Sequence, residues 1–245
     1  KDAIMGKVKK ILFFLVLGLM LVTYSEGWAT GEEVVKLRDL YKKDGLAYVK
    51  ESGELFSGKA VVTWPDGSPK AEIKFREGLR DGITVVYYEN GQIKNRTEYR
   101  NGLLEGKHFV WYENGGKKRE IEYRQGKKNG KSIKWYMGGG KEFEFEYRDD
   151  QLHGKAISWY ENGQKQEEVE YRQDKMDGER TKWYESGQKK YVIRYMAGEA
   201  HGKSISWYED GQKQSEVYFQ DGRYRGGKCW NEVGKPVDCD QISLE

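Results

Sequence analysis

Two glycine series, each returning every 24 residues, constrain this chain more than any other feature of it. Gly58, Gly82, Gly106, Gly130, Gly154, Gly178, Gly202 and Gly226 form the first, and Gly67, Gly91, Gly115, Gly139, Gly163, Gly187 and Gly211 form the second. An aromatic stands four residues before the second glycine: Tyr87, then Trp111, Trp135, Trp159, Trp183 and Trp207, with Trp230 before Gly234. Phe75, Tyr99, Tyr123, Tyr147, Tyr171, Tyr195 and Phe219 keep the same period. Self-similarity at fixed phase marks a repeat architecture. Its copies bury their apolar faces against one another rather than around a central pocket.

Each copy contains two short alternating runs. In the third, Lys107–Tyr112 and Lys117–Tyr123 flank Glu113-Asn114-Gly115, and period-two alternation bounded by Gly and Asn reads as a β-hairpin. A two-residue Asn-Gly loop would put the apolar residues of the two strands on opposite sides. A three-residue loop, a type I turn with Gly in the left-handed position, pairs Trp111 with Lys117 and Phe109 with Arg119. That register sets Phe109, Trp111, Ile121 and Tyr123 on one side, because a one-residue slip inverts a whole strand. The even period repeats the expectation along the chain. The apolar side is to carry Trp111, Trp135, Trp159, Trp183 and Trp207 with Tyr123, Tyr147, Tyr171 and Tyr195, and also Ile133, Ile157 and Ile205. The charged side is to carry Glu120, Glu122, Glu144, Glu146, Glu168, Glu170, Lys134, Lys182 and the second aromatics Tyr112, Tyr136, Tyr160, Tyr184 and Tyr208. A lone hairpin is marginal in water. The fold class expected is therefore all-β: an elongated, single-layer antiparallel hairpin ladder of about 10 Å per unit, twisted rather than flat, with an N-terminal signal helix.

Composition narrows the function. Charged residues make up 34 % of the chain, hydrophobic ones 37 % and aromatics 14 %, so the apolar surface is built mainly from rings. The 43 basic and 40 acidic residues leave a net charge of +3, which gives no electrostatic case for nucleic acid. Lys7, Lys9 and Lys10 precede the apolar run Ile11–Val22, followed by Ser25, Gly27 and Ala29. That order matches a secretory signal over residues 5–29, an uncleaved anchor being the alternative. Cys229 and Cys239 could pair in an exported protein. His108, His153 and His201 are the only histidines. His153 and His201 fill one loop slot two units apart, too far to share a metal. No nucleophile motif, phosphate loop or metal-ligand spacing is present, so no catalytic residue, cofactor or metal is assigned.

The motif WYENGQK (Trp159–Lys165), then EYRQ (Glu170–Gln173), then a Gly-x-x-x-Gly step such as Gly102–Gly106, resembles the MORN-variant repeats. In particular it resembles the YwqK-type antitoxin-like bacterial proteins, and Leu40–Val61 resembles the entry segment of that family. Asp150 and Asp174 depart from the pattern at the first Gly of the step. The resemblance implies a non-enzymatic hairpin ladder that binds a toxin protein. The organisation expected is a signal at 5–29, an N-terminal β cap at 31–57, repeats at 58–228 and a C-terminal capping hairpin at 229–245. The function expected is an exported bacterial scaffold (periplasm, cell surface or secreted) binding a toxin or envelope protein, with membrane contact only through the N-terminal segment. The alternative is an envelope module holding carbohydrate or choline head groups between its rings.

Overall fold

The computed structural model describes residues 33–241; the expected signal helix at 5–29 lies outside them. The described chain is an all-β antiparallel ladder within a 20-stranded sheet. Strands follow one another in chain order. Gly106–Trp111 pairs with Lys117–Arg124, which pairs with Lys127–Trp135, which pairs with Lys141–Arg148, and the succession continues to Arg223–Trp230.

Two kinds of turn make the meander. Within a unit, Tyr112 N–H donates to Gly116 O at 2.8 Å and Gly115 N–H to Tyr112 O at 2.9 Å. This is the three-residue turn expected, with Gly115 at φ 84°. Between units the loop has two residues: Arg124 pairs with Lys127 across Gln125 (φ 49°) and Gly126 (φ 80°). Two successive left-handed residues define a type I′ turn, whose twist matches that of the strands it joins. In two of these turns Asp takes the glycine place, Asp150 at φ 69° and Asp174 at φ 62°.

The expected assignment of side chains to faces is corrected by a bulge. Trp111 pairs with Lys117 as the turn demands, but Val110 then pairs with Arg119 and Phe109 with Glu120, which leaves Lys118 as an extra residue. The same shift precedes Trp135, Trp159, Trp183 and Trp207. A bulge inserts one residue and inverts everything beyond it relative to the partner strand. Ile121 therefore shares a face with His108, not with Phe109. The tryptophans lie with Glu120, Glu144 and Glu168 on one face, and Tyr123, Tyr147, Tyr171 and Tyr195 lie with the aliphatic stripe on the other. The second aromatics change sides in the same way: Tyr184 and Tyr208 stand beside Ile193 and Val217. Ile133, Ile157 and Ile205 pair with Glu144, Glu168 and Glu216 on the tryptophan face.

The buried stripe runs along the middle of the tyrosine face. A small residue on the first strand sits beside an aliphatic one on the second: Ala60 with Ile73, Ala156 with Val169, Ser204 with Val217, all buried. At the start of the ladder, Val34–Lys36 adds a parallel strand over Lys59–Val61. Leu40 and Ala47 of the hairpin Leu40–Lys43/Leu46–Val49 close over Ala60 with Phe56, which is 0 % exposed. At the far end Cys229 and Cys239 are bonded, with Cα atoms 5.2 Å apart. Beside them Pro236–Val237 pairs with Cys229 and Trp230 only. Among the described residues the C-terminal tail thus pairs with two residues of the last strand.

Candidate binding faces of the sheet

On the tryptophan face the bulge assembles a repeated charge cluster. Glu120 accepts from Lys107 Nζ at 2.7 Å and from Lys117 Nζ at 3.4 Å. Lys117 Nζ also stands 5.5 Å from the ring centres of Phe109 and of Trp135 in the next unit. Glu144 is held by Lys131 and Lys141, Glu168 by Lys155 and Lys165, and Glu216 by Lys203 and Lys213. Lys141 lies over Trp159, Lys165 over Trp183 and Lys213 over Trp230 at 5.5–5.7 Å. An ammonium within about 6 Å of a ring face is attracted by the ring quadrupole. Trp135, Trp159, Trp183 and Trp230 are thereby each ordered by a lysine that a neighbouring glutamate positions. The lysines hold the carboxyls of Glu168 and Glu216 below the ordinary range, Glu216 at about 2. At Glu120 and Glu144 burial pushes upward, and the two lysines together outweigh it. The cluster breaks in two units: Arg96 and Val192 stand in the glutamate place, and Ile83 and Glu179 in that of the first lysine.

On the tyrosine face the rings serve two purposes. Tyr112 Oη donates to Trp135 O at 2.7 Å, and Tyr88, Tyr136, Tyr160, Tyr184 and Tyr208 make the same bond to Trp111, Trp159, Trp183, Trp207 and Trp230. These bonds run from one unit to the next and bind the turns together along one margin. Tyr123, Tyr147 and Tyr171 form the row beside the aliphatic stripe, and burial raises the pKa of each hydroxyl. A half-open groove of about 360 Å³ lies over the last full units, between Tyr184, Tyr191, Tyr208 and Phe219, with Ser204 and Ser206 on its floor. Earlier on the same face, Glu167 accepts from Arg180 Nε and Nη2 at 2.7 Å, with the Arg180 guanidinium 5.3 Å from the Tyr191 ring centre.

The sequence-assigned ring ladder is thus two ladders, back to back. The glutamates Glu120, Glu144 and Glu168 that position those lysines were assigned to the opposite side. The histidines stay apart. His108 is hydrogen-bonded to Thr97 at 2.7 Å, and burial followed by the nearby Arg119 charge lowers its pKa. His201 lies 3.5 Å from Asp221. Among the described residues no group of three or more His, Cys, Asp and Glu side chains could hold a metal ion.

No curated protein matches the chain. A solved alternansucrase (ASR) in complex with isomaltononaose is similar over 80 % of this chain at 13 % identity, with a TM-score of 0.21. This chain spans 16 % of that structure's length, and the likeness carries no argument. The family model of the MORN repeat variant matches residues 80–101, 104–125, 152–173, 176–196 and 200–221. Each match begins near the end of one first-strand entry and closes at a type I′ turn, so the matched segment and the hairpin unit coincide. Five of the hairpin units between residues 80 and 221 thus match the MORN repeat variant.

Proposed function

We propose that this protein is a non-enzymatic, exported scaffold that binds another protein along its tryptophan face, the partner being a toxin or an envelope protein. Repeats of this kind are generally protein- or membrane-binding modules. The observation that carries the reading is the row Trp111, Trp135, Trp159, Trp183 and Trp207. These rings are half-buried, a lysine lies over Trp135, Trp159 and Trp183, and among the described residues no second layer of the sheet stands above them. Pre-ordered tryptophans lose little entropy on binding and are favoured anchors of interfaces. The charged frame around them adds selectivity more than affinity.

The test uses the full chain as bait against envelope extract, in parallel with a Trp159→Ala/Trp183→Ala variant whose far-UV spectrum is unchanged. The unaltered chain is expected to retain a defined protein that the variant loses. Equal capture by both, or capture by neither, overturns the reading. A toxin partner is expected to be neutralised on co-expression with the unaltered chain only.

The groove between Tyr184, Tyr191, Tyr208 and Phe219 favours a second reading, a carbohydrate or choline head group held between rings and serine hydroxyls. Titration of glycans and choline followed by aromatic fluorescence separates the two readings. An unchanged signal at saturating ligand removes the second.

A further inference from the structure

The ladder ends on an unfinished unit. Arg223–Trp230 pairs inward with Lys213–Gln220, with a bulge at Arg225. Outward it meets Pro236–Val237 at Cys229 and Trp230 only. Among the described residues no strand covers the outer edge of residues 223–228, and such an edge is a template for an added strand.

The side chains of that edge have one sign. Arg223, Arg225 and Lys228 are exposed and have no ion-pair partner among the described residues. Arg223 stands opposite Gln220. Lys228 stands opposite Glu216, which already holds Lys203 and Lys213, each at 2.7 Å. Tyr224 and Tyr218, 45 % and 48 % exposed, offer apolar area beside the charges. A second copy of this chain does not fit. Pairing two such edges about a twofold axis sets cation against cation, which is unfavourable between facing strands. At the opposite end of the ladder Val34–Lys36 has three residues and the flanking acids are Glu33 and Asp39, the latter paired with Arg38 at 4.0 Å, so head-to-tail pairing finds neither the length nor the row of carboxylates that would match three cations.

We propose that the Arg223–Lys228 edge takes up an extended acidic segment of a different protein as one further strand. The backbone ladder supplies the affinity, and carboxylates facing Arg223, Arg225 and Lys228 supply the selectivity. The Cys229–Cys239 bond holds the tail over the end of the strand and so limits the added segment to about six residues, roughly 20 Å.

The experiment uses the full chain with three blocked peptides: one alternating glutamate with valine and threonine, its lysine counterpart, and the acidic peptide N-methylated at alternate residues. Amide exchange at residues 223–228 and titration calorimetry are the readouts. The acidic peptide is expected to slow exchange at those amides, while the other two do not. Arg223→Glu/Arg225→Glu is expected to weaken its binding about tenfold or more, and Trp159→Ala/Trp183→Ala to leave it unchanged. That last variant separates this edge from the face proposed above. Unchanged exchange at 223–228 under saturating acidic peptide overturns the proposal. So does equal binding of the lysine peptide, or of the N-methylated one, which would reduce the contact to charge alone.

Discussion

Glu216 lies between Lys203 and Lys213, and their hydrogen bonds take its carboxyl from an ordinary 4.5 down to about 2. Glu168 is lowered for the same reason, with Lys155 foremost. A carboxyl depressed in the folded state stabilises the fold above its unfolded pKa, and that contribution is lost as pH falls through the folded value. The urea midpoint should therefore decline from about pH 4.5 down to about pH 2. Glu216→Gln should start lower and decline less; parallel declines would dismiss the lysine pair as its cause. The hydroxyl of Tyr160 gives a second residue-scale test. Its bond to Trp183 O at 2.9 Å joins two units. Tyr160→Phe is expected to cost about 1 kcal/mol in urea denaturation. Tyr218→Phe, at a half-exposed ring, should cost nothing measurable by the same method.

The inter-unit turn is the element on which the ladder propagates. At Asp174, φ is 62°, a conformation that disfavours a side chain, yet Oδ1 accepts from Leu152 N–H at 2.7 Å. Asp150 repeats the arrangement with Lys128 N–H at 2.8 Å. Replacement by glycine relieves about 1 kcal/mol of backbone strain and forfeits about 1 kcal/mol of hydrogen bond, so Asp174→Gly should be close to neutral. Asp174→Ala loses the bond and keeps the strain, and should destabilise by about 1–2 kcal/mol in the same denaturation assay. These turns also mark what the sequence could convey. Glycines, Asn-Gly pairs and ring positions announce their conformation locally, so the period, the hairpin and the three-residue turn at Glu113-Asn114-Gly115 were readable. The bulge at Lys118 was not. It asks for no special residue type, and it becomes visible only when Glu120 is seen between Lys107 and Lys117. Missing one residue moved Ile121 and Tyr123 to the wrong side of the sheet, and with them the boundary between the two ring ladders.

At the scale of the whole molecule, stability is a sum over units and their contacts with neighbours. Removing residues 152–175, one complete period, joins Gln151 to Met176 in phase. The product is expected to fold with an unchanged β-type circular dichroism spectrum and a lower urea midpoint. Removing residues 152–163 takes out a strand without its partner and should abolish cooperative unfolding. Opening the Cys229–Cys239 loop by Cys239→Ser should cost roughly 2–3 kcal/mol on a loop-closure estimate, seen first as faster amide exchange in the last strand.

Because every unit is bulged at the same place, the two sides of this sheet draw on separate sets of positions. Odd and even residues of a strand answer to different demands: one set keeps neighbours joined, the other meets whatever approaches from outside. Substitutions can accumulate on the outward set, altering what is recognised, while the joins between units remain intact.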